Sequence, residues 1–294
     1  MPDPLRATGA LQSSSILVTG GTGNLGREVV ARLRRQGAHV RSLARHRAGP
    51  LPGVESVVGD LTDPAMARAA LAGVDTVFLT WPLLESAPAH GLVEELVASA
   101  PRVIYLSSAA VDDEAARQSD PIVQVHADME AVLHRAGLRP VVLRSDTLAS
   151  NARGWAVQIK AGDVVAGPDI AGTAVVDERD VADAAVAALC ARDDGPADRP
   201  YVLTGPEVLS RTDQIAELGA ALQRRRLRFE AVPPDLARTR MLADGRPDRL
   251  VEALIAAAVH RPESHRVTDH VERLTGRPAG TFARWAIDHV TEFC

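Results

Sequence analysis

Residues 18–26 read VTGGTGNLG, and the spacing of their glycines decides the fold. Gly20, Gly23 and Gly26 stand three residues apart, after the apolar run ILV and before a helical pattern. The first glycine permits a tight turn, the second lets the backbone approach a pyrophosphate, and the third allows close packing of helix on strand. The stretch predicts a dinucleotide-binding turn, with a glycine-rich turn of another α/β fold as the alternative. The predicted cofactor-binding residues of this turn are Gly20, Thr22, Gly23, Asn24, Leu25 and Gly26.

Strand and helix patterns alternate after this turn. Short apolar runs such as HVRSLA, DTVFLTW and RVIYLSS are separated by segments of helical periodicity. This alternation predicts an α/β fold with a doubly wound parallel sheet, because each crossover helix must cover a face of the sheet. After about residue 150 the pattern loosens. We expect a flexible tail over residues 1–14, a dinucleotide-binding domain over 15–150, and a smaller substrate-binding lobe over 151–294 that is interleaved with the first domain.

The composition restricts the partners. The chain has 294 residues, of which 46% are hydrophobic, and a net charge of −5 with both signs interspersed. Nothing in this pattern favours nucleic acid or a membrane, so we expect a small-molecule partner. Cys190 and Cys294 lack the spacing of metal ligands or of a disulfide framework, so the sequence predicts no metal site and a cytoplasmic protein.

The end of the second predicted strand distinguishes between the two nicotinamide dinucleotides. An acidic residue at this place binds the ribose diol of NAD, whereas a cation accepts the 2′-phosphate of NADP. The sequence is SLARHR, with Arg45 at the strand end, Arg47 behind it and no Asp or Glu. We therefore predict that NADP(H) is preferred over NAD(H) and that Arg45 contacts the phosphate; a solvated loop arginine is the alternative.

Further candidates lie at the carboxyl ends of the next three strands, where open α/β sheets bind ligands. Asp60 and Leu61 in VVGDLTD offer a carboxylate and a backbone amide to the adenine. Residues of these types are also common in turns and caps. The other cofactor contacts predicted at these ends are Thr80, Trp81, Pro82 and Ser107, and Ser108 is a candidate catalytic residue.

Taken together, these segments resemble the NmrA-like group of atypical short-chain dehydrogenase/reductases. The matching text is ILVTGGTGNLGREVV, VVGDLTD, DTVFLTWP, VIYLSS, HADMEAVLHRAGLRPVVLRSDTLASN, VDERDVADAAVAAL, LTGPEVLS and LTGRPAGTFARWAIDH. The resemblance implies a Rossmann-like domain with a small mixed C-terminal lobe, a nicotinamide cofactor, and a substrate cleft between domain and lobe. Members include quinone, azo and other NADPH-dependent reductases, and also regulators that bind the cofactor without turnover.

The proton donor of most short-chain dehydrogenases is absent. That family usually protonates substrate with a tyrosine followed four residues later by a lysine, and the corresponding positions in this chain resemble Ile122 and His126. The only lysine is Lys160, and neither Tyr105 nor Tyr201 stands four residues before it. We therefore expect no Tyr-Lys dyad, with His126 at the place of the lysine.

His126 has three possible roles. It can contact the nicotinamide ribose or the substrate, or it can exchange a proton, because imidazole titrates near neutral pH. It also shares a helical stripe with Ile122, Met129 and Leu133, which favours simple packing. We predict a cofactor contact and a catalytic role for His126.

The loop after the sixth strand, LRSDTLASN, supplies the remaining candidates. The family often has an arginine-proline pair in this loop, whereas this chain has Arg144 followed by Ser145, which removes the fixed φ of proline and adds a hydroxyl. Asp146 is a second candidate catalytic residue, and Arg144 a predicted cofactor contact. The predicted substrate contacts are Trp81, Ser145, Asn151 and Trp155. Loop chemistry and core packing are the alternative uses of these side chains.

Three functions fit this sequence. The preferred one is an NADPH-dependent oxidoreductase that transfers hydride to a small conjugated carbonyl, quinone or related acceptor, as in specialised metabolism. A cofactor-sensing regulator with a protein partner is the second. The third is a non-redox isomerase or cyclase in which His126 or Asp146 moves protons.

Overall fold

A computed structural model describes residues 14–46, 49, 52–191 and 199–294. The predicted tail therefore lies outside the described residues except for Ser14, and so does Arg47.

The described elements alternate as the sequence predicts. The strands are β1 (Ser15–Thr19), β2 (His39–Ala44), β3 (Val54–Val58), β4 (Thr76–Leu79), β5 (Arg102–Ser108), β6 (Val141–Ser145), β7 (Val164–Gly167), β8 (Tyr201–Leu203) and β9 (Arg228–Ala231). The helices are α1 (Asn24–Arg35), α2 (Pro64–Leu71), α3 (His90–Ser99), α4 (Pro121–Arg135), α5 (Ala156–Ala161), α6 (Glu178–Cys190), α7 (Arg211–Ala221), α8 (Pro234–Ala243), α9 (Asp248–His260), α10 (His270–Thr275) and α11 (Phe282–Asp288). Short 3₁₀ helices lie at Ala87–Ala89, Ala149–Trp155 and Val290–Glu292. Within the described ranges, no helix has both the length and the apolar character needed to span a membrane.

Seven strands form the main sheet in the order β3-β2-β1-β4-β5-β6-β8. Strand β1 pairs in parallel with β2 on one side and with β4 on the other, so the strand order reverses beside β1. Ligands bind at such a switch point, outside the carboxyl ends of the strands. The predicted Rossmann-like fold is confirmed.

The β1–α1 unit forms for simple reasons of patterning. Ile16, Leu17 and Val18 have no exposed surface, as expected for a strand covered on both faces. Helix α1 buries Leu25, Val29, Val30 and Leu33 along one stripe. Gly37 ends the helix with a positive φ of 81° and donates its N–H to the Arg34 carbonyl at 3.0 Å.

Backbone contacts divide the chain into two compact units. The first contains the described residues up to Ser107 together with those of His126–Arg144 and Glu178–Tyr201. The second contains Ser108–Val125, Ser145–Asp177 and Val202–Cys294, and includes the parallel pair β7–β9. An apolar cluster of this unit surrounds Trp285. The roles predicted before and after residue 150, cofactor binding and substrate binding, stay predictions.

Candidate functional site

The glycine turn between β1 and α1 has no room for a side chain at Gly20, Gly21 or Gly26. Gly20 has a φ of +66°, and a Cβ there would lie 2.7 Å from the Thr80 hydroxyl oxygen. A Cβ on Gly26 would lie 2.1 Å from the Gly20 carbonyl oxygen, so this glycine lets the helix approach the turn. Gly23 differs, because its Cβ would meet only the Gly20 carbonyl oxygen at 3.3 Å. Gly23 is exposed, so its lack of a side chain leaves space on the outer side of the turn.

Helix α1 begins in a way that suits an anion. Gly23 is the N-cap, no side chain caps the helix, and its fully described first turn holds no acidic residue. The N-terminal N–H groups and the helix dipole together favour a phosphate at this end. Thr22 and Asn24 are half-buried beside the turn, and Leu25 is buried below it. The residues present therefore fit the pyrophosphate of a dinucleotide.

Two threonines join the carboxyl ends of β1 and β4. The Thr80 N–H donates to the Thr19 hydroxyl at 2.7 Å, and the Thr80 hydroxyl donates to the Thr19 carbonyl at 3.0 Å. This fixes the start of the loop that carries Trp81 and exposed Pro82. Trp81 is buried, with its indole N–H bonded to the Glu85 carbonyl at 2.8 Å. Its ring is therefore held rigidly at this edge.

Arg45 and Asp60 lie within electrostatic range of one another. Arg45 is exposed just after β2, as a phosphate ligand must be. The Thr62 N–H and hydroxyl both donate to Asp60 Oδ1, at 2.9 and 2.8 Å. The pKa of Asp60 is lowered by the bond from the Thr62 N–H, then by the bond from its hydroxyl, with a smaller effect from Arg45. Leu61 is buried. Asp60 thus builds a turn, and its contact with adenine stays a prediction.

A buried ion pair connects β5, α4 and β6. The Arg144 guanidinium donates to both carboxylate oxygens of Glu130, at 3.0 and 2.7 Å, and the Ser107 hydroxyl donates to the same carboxylate. All three residues are buried. Because a buried carboxylate needs a partner, this network fixes the carboxyl ends of two strands against one face of α4. Two predicted cofactor residues, Ser107 and Arg144, thus meet through Glu130, which was not among the residues predicted from the sequence.

One helical turn before Glu130, His126 contacts a tyrosine. Tyr105 Oη lies 3.1 Å from His126 Nδ1. The ring of Tyr105 is buried, whereas His126 is half-buried. Burial raises the pKa of the Tyr105 phenol, and the charge of Glu130 raises it further, so the phenol stays protonated at neutral pH. The pair holds the imidazole in one orientation.

This role of Tyr105 was not predicted, because the family pattern places a tyrosine and a lysine on one helix. In the folded chain the phenol comes from β5 and the imidazole from α4. A signal was present, since Tyr105 and Ser107 alternate onto one face of the strand while His126 and Glu130 are four apart on the helix. Met129 and Leu133 on the predicted stripe have no exposed surface, so His126 lies at the margin of the packed face.

In the second unit, a buried carboxylate caps α4. Asp120 Oδ1 accepts the N–H groups of Ile122 and Val123 at 3.0 and 3.2 Å, and both carboxylate oxygens accept from the Arg261 guanidinium at 3.0 Å. Burial raises the pKa of Asp120, but the bonds from Arg261 and the further contributions of its charge and of Val123 lower it to a net value below normal. The start of α4 therefore depends on a charged carboxylate.

Asp146 lies just after β6. Its two carboxylate oxygens accept N–H groups of Thr147 at 2.6 Å and Ala174 at 3.3 Å. Burial raises its pKa, although these bonds and the charge of Arg261 oppose the shift. A carboxylic acid with a raised pKa suits proton transfer, whereas the two backbone bonds suit a structural support. Its predicted catalytic role stays a prediction.

The other predicted residues of this unit are two serines that bond to nearby backbone, an exposed asparagine and a half-buried tryptophan. The Ser145 hydroxyl donates to the Asp146 carbonyl at 2.8 Å, and the Ser108 hydroxyl accepts from the Ala110 N–H at 3.2 Å. Asn151 is exposed on the 3₁₀ helix Ala149–Trp155. Trp155, at the end of that helix, is half-buried under the guanidinium of Arg211. Their substrate and catalytic roles stay predictions.

Comparison with known proteins identifies the class. Residues 20–192 match the family described as NAD(P)H-binding. The chain is 37% identical over 290 residues to a (4-alkanoyl-5-oxo-2,5-dihydrofuran-3-yl)methyl phosphate reductase of Streptomyces griseus, covering 95% of this chain and 99% of the relative. It is 30% identical over 288 residues to an NAD(P)H azoreductase of Xenophilus azovorans, covering 95% and 99% of the two chains. An NADPH-dependent quinone oxidoreductase of Escherichia coli, solved with NADPH, has the same fold with a TM-score of 0.75 at 21% identity, covering 94% of this chain and 99% of that one.

The chain belongs to the NAD(P)H-binding family, and it has the fold that the predicted NmrA-like resemblance implies. It is an NAD(P)H-dependent reductase.

Proposed function

We propose that this chain uses NADPH to reduce a small conjugated acceptor, such as an unsaturated ketone, lactone or quinone, without a Tyr-Lys dyad. The observation that carries the proposal is the uncapped start of α1 behind Gly23 and Gly26, which fits a pyrophosphate. When bound, the nicotinamide supplies a hydride. Every other requirement falls on the residues of the chain.

A conjugated acceptor makes modest demands on those residues. Addition of hydride to the β-carbon moves negative charge onto the carbonyl oxygen, and the resulting enolate takes its proton from water. Catalysis then depends mainly on orientation, for which effective molarities are large. This accounts for a reductase in which Ile122 stands where the resemblance places a tyrosine. A saturated ketone lacks this route, because its alkoxide must be protonated as it forms.

In this proposal the Tyr105–His126 pair positions the cofactor or the acceptor and does not protonate the acceptor. With the Tyr105 phenol protonated, the hydroxyl can donate to an unprotonated Nδ1, which leaves the proton of a neutral imidazole on Nε2. An N–H on Nε2 is a donor for a ribose hydroxyl or for the developing enolate oxygen. The Ser107–Glu130–Arg144 network holds the same face of α4 in place.

The preference for NADPH over NADH rests on Arg45. This arginine is exposed after β2, with no acidic residue in the SLARHR segment to bind a ribose diol. Arg45 is paired with no carboxylate at hydrogen-bond distance among the described residues, although Asp60 lies within electrostatic range. A guanidinium in this place contacts a 2′-phosphate strongly.

The two relatives support the acceptor class. The Streptomyces griseus enzyme is named for a dihydrofuranone that carries an alkanoyl group, and the Xenophilus azovorans enzyme for azo compounds. The ring double bond of the dihydrofuranone is conjugated to carbonyl groups, so hydride can add there without a strong acid at the carbonyl, whereas an azo group accepts hydride at nitrogen. Because the first relative shares 37% of its residues with nearly the whole chain, an acylated butenolide is the acceptor to test first.

The test is an acceptor panel in the presence of NADPH or NADH. We expect NADPH oxidation with acylated butenolides or quinones and little with a saturated ketone of similar size. Cofactor binding without oxidation by any acceptor would favour the regulator. Equal rates for conjugated and saturated ketones would contradict hydride addition to a conjugated β-carbon with water as the proton source.

A further inference from the structure

Arg211, the first residue of α7, is an unusual cation in the second unit. Its Nε is buried and has no hydrogen-bond partner in the part of the chain that the structure describes. Arg41 and Arg238 also have a buried Nε without a hydrogen bond, but each has a carboxylate oxygen at 2.9 Å. No such ion pair accompanies Arg211 among the described residues. Desolvated cations are normally paired with an anion, so a bound anion would stabilise Arg211.

Other arginines of the same unit show the contrast. Arg153, Arg224 and Arg261 form ion pairs with Glu292, Asp163 and Asp120 at 2.6, 2.6 and 3.0 Å, respectively. The chain therefore supplies carboxylates where an arginine serves the fold. Arg211 is not needed to cap its helix either, because Ser210 and Asp213 form a reciprocal capping box at the start of α7.

Trp155 fixes the orientation of this guanidinium. The Arg211 Cζ lies 5.5 Å from the centroid of the Trp155 ring, a cation–π contact. The tryptophan is itself held by the apolar cluster around Trp285. Although the Nε is buried, a guanidinium held over a ring can still present its two Nη groups in one plane, and such a planar pair of donors can bind a phosphate or carboxylate bidentately.

Two charges of opposite sign, Asp169 and Arg246, act on Arg211. Burial lowers the pKa of Arg211, the charge of Asp169 opposes this, and the charge of Arg246 lowers it further. An arginine remains charged in this setting. Two guanidinium groups thus lie within electrostatic range of one another, with exposed Asp169 as the carboxylate that acts on Arg211.

We propose that Arg211, assisted by Arg246, binds an oxyanion carried by the acceptor, a phosphate ester or a carboxylate. The inference rests on the proposed function for the identity of the acceptor, but the anion site itself does not. It places the specificity for a charged acceptor on Arg211 and on Trp155, and Trp155 lies in the same 3₁₀ helix as the predicted substrate residue Asn151.

The first test measures anion binding without turnover. Inorganic phosphate is titrated calorimetrically into the enzyme saturated with NADP⁺, which occupies the dinucleotide site. We expect Arg211→Gln to weaken phosphate binding at least about 10-fold, since charged hydrogen bonds are lost. Arg226→Gln, which removes an exposed arginine of the same unit, is the matched control and should bind as the wild type does. Unchanged binding by Arg211→Gln, or no phosphate binding by the wild type, would overturn the inference.

The second test uses two acylated butenolides that differ only in a free hydroxymethyl group or its phosphate ester, and a carboxylate analogue. Arg211→Gln should raise KM for the phosphate ester about 10- to 100-fold, with kcat nearly unchanged and KM for the alcohol unaffected. If the KM for the carboxylate analogue rises in parallel, Arg211 belongs to a general oxyanion site. If that KM does not rise, the site is specific for phosphate. Equal effects on the charged and neutral acceptors would refute the assignment.

Two further outcomes separate the proposals. If Arg211→Gln does not fold, Arg211→Lys takes its place, because lysine keeps the charge but lacks the planar guanidinium group. We expect Arg211→Lys to discriminate less strongly between the phosphate ester and the alcohol. Selection equal to that of the wild type would count against the site. If the wild type binds phosphate through Arg211 but reduces no acceptor, the proposed function fails and the anion site stands.

Discussion

Gly23 and Gly26 lie three residues apart, yet their replacement by alanine should have different consequences. A Cβ on Gly26 would lie 2.1 Å from the Gly20 carbonyl oxygen and 2.8 Å from the Gly20 carbonyl carbon and the Gly21 Cα. These are backbone atoms at the core of the β1–α1 turn, so relief requires the helix to move. Overpacking typically costs about 1–3 kcal/mol, and this site belongs at the upper end. Gly26→Ala should therefore lower the melting temperature by about 5 °C in a chain of this length.

Gly23→Ala should spare the fold and affect the ligand. The added Cβ would meet only the Gly20 carbonyl oxygen at 3.3 Å, and the φ of −74° suits alanine. The methyl group would occupy the outer side of the turn, where the pyrophosphate approaches the backbone. We expect a melting temperature near that of the wild type and NADPH affinity reduced at least about 10-fold. Thermal denaturation and fluorescence titration with NADPH measure the two effects. Full NADPH affinity in a folded Gly23→Ala variant would refute the placement of the cofactor.

Three further predictions concern single side chains. Arg45→Asp should weaken NADPH binding by at least about 1.5 kcal/mol and NADH binding little; equal losses in the two titrations would exclude Arg45 as the 2′-phosphate ligand. His126→Ala should slow hydride transfer about 10-fold without new pH dependence between roughly pH 5 and 8, and Tyr105→Phe should slow it to a smaller extent. If these variants instead show normal transient kinetics and a lowered melting temperature, the pair is structural. Arg261→Gln should cost about 3–5 kcal/mol by leaving Asp120 unpaired. Because the pKa of Asp120 is lowered in the folded protein, its carboxylate adds to the free energy of unfolding above about pH 4, and this stabilisation is lost as the pH falls further. Urea titrations at several pH values should show this loss in the wild type but not in Arg261→Gln.

The fold was predictable because its signals are local. The glycine spacing of residues 18–26 and the alternation of strands and helices depend on near neighbours in the chain, and HVRSLA coincides with β2. The buried stripe of α1 was likewise readable from the positions of Leu25 and Leu33.

The site was less predictable because its contacts join distant residues. The phenol of Tyr105 reaches His126 across 21 positions, and Arg144 reaches Glu130 from the next strand. A search for residues at fixed spacing along one helix finds neither. Arg211 carries no motif, since what distinguishes it is a buried Nε without a hydrogen bond from any described residue, and that is visible only after folding.

The most direct test of the central claim follows the hydride itself. Wild-type enzyme is incubated with an acylated butenolide and NADPH that carries deuterium at both C4 positions of the nicotinamide, and the product is examined by NMR. We expect deuterium at the β-carbon of the reduced acceptor, with the proton at the neighbouring carbon drawn from water. Bound but unoxidised NADPH, or a product without deuterium at that carbon, would contradict it.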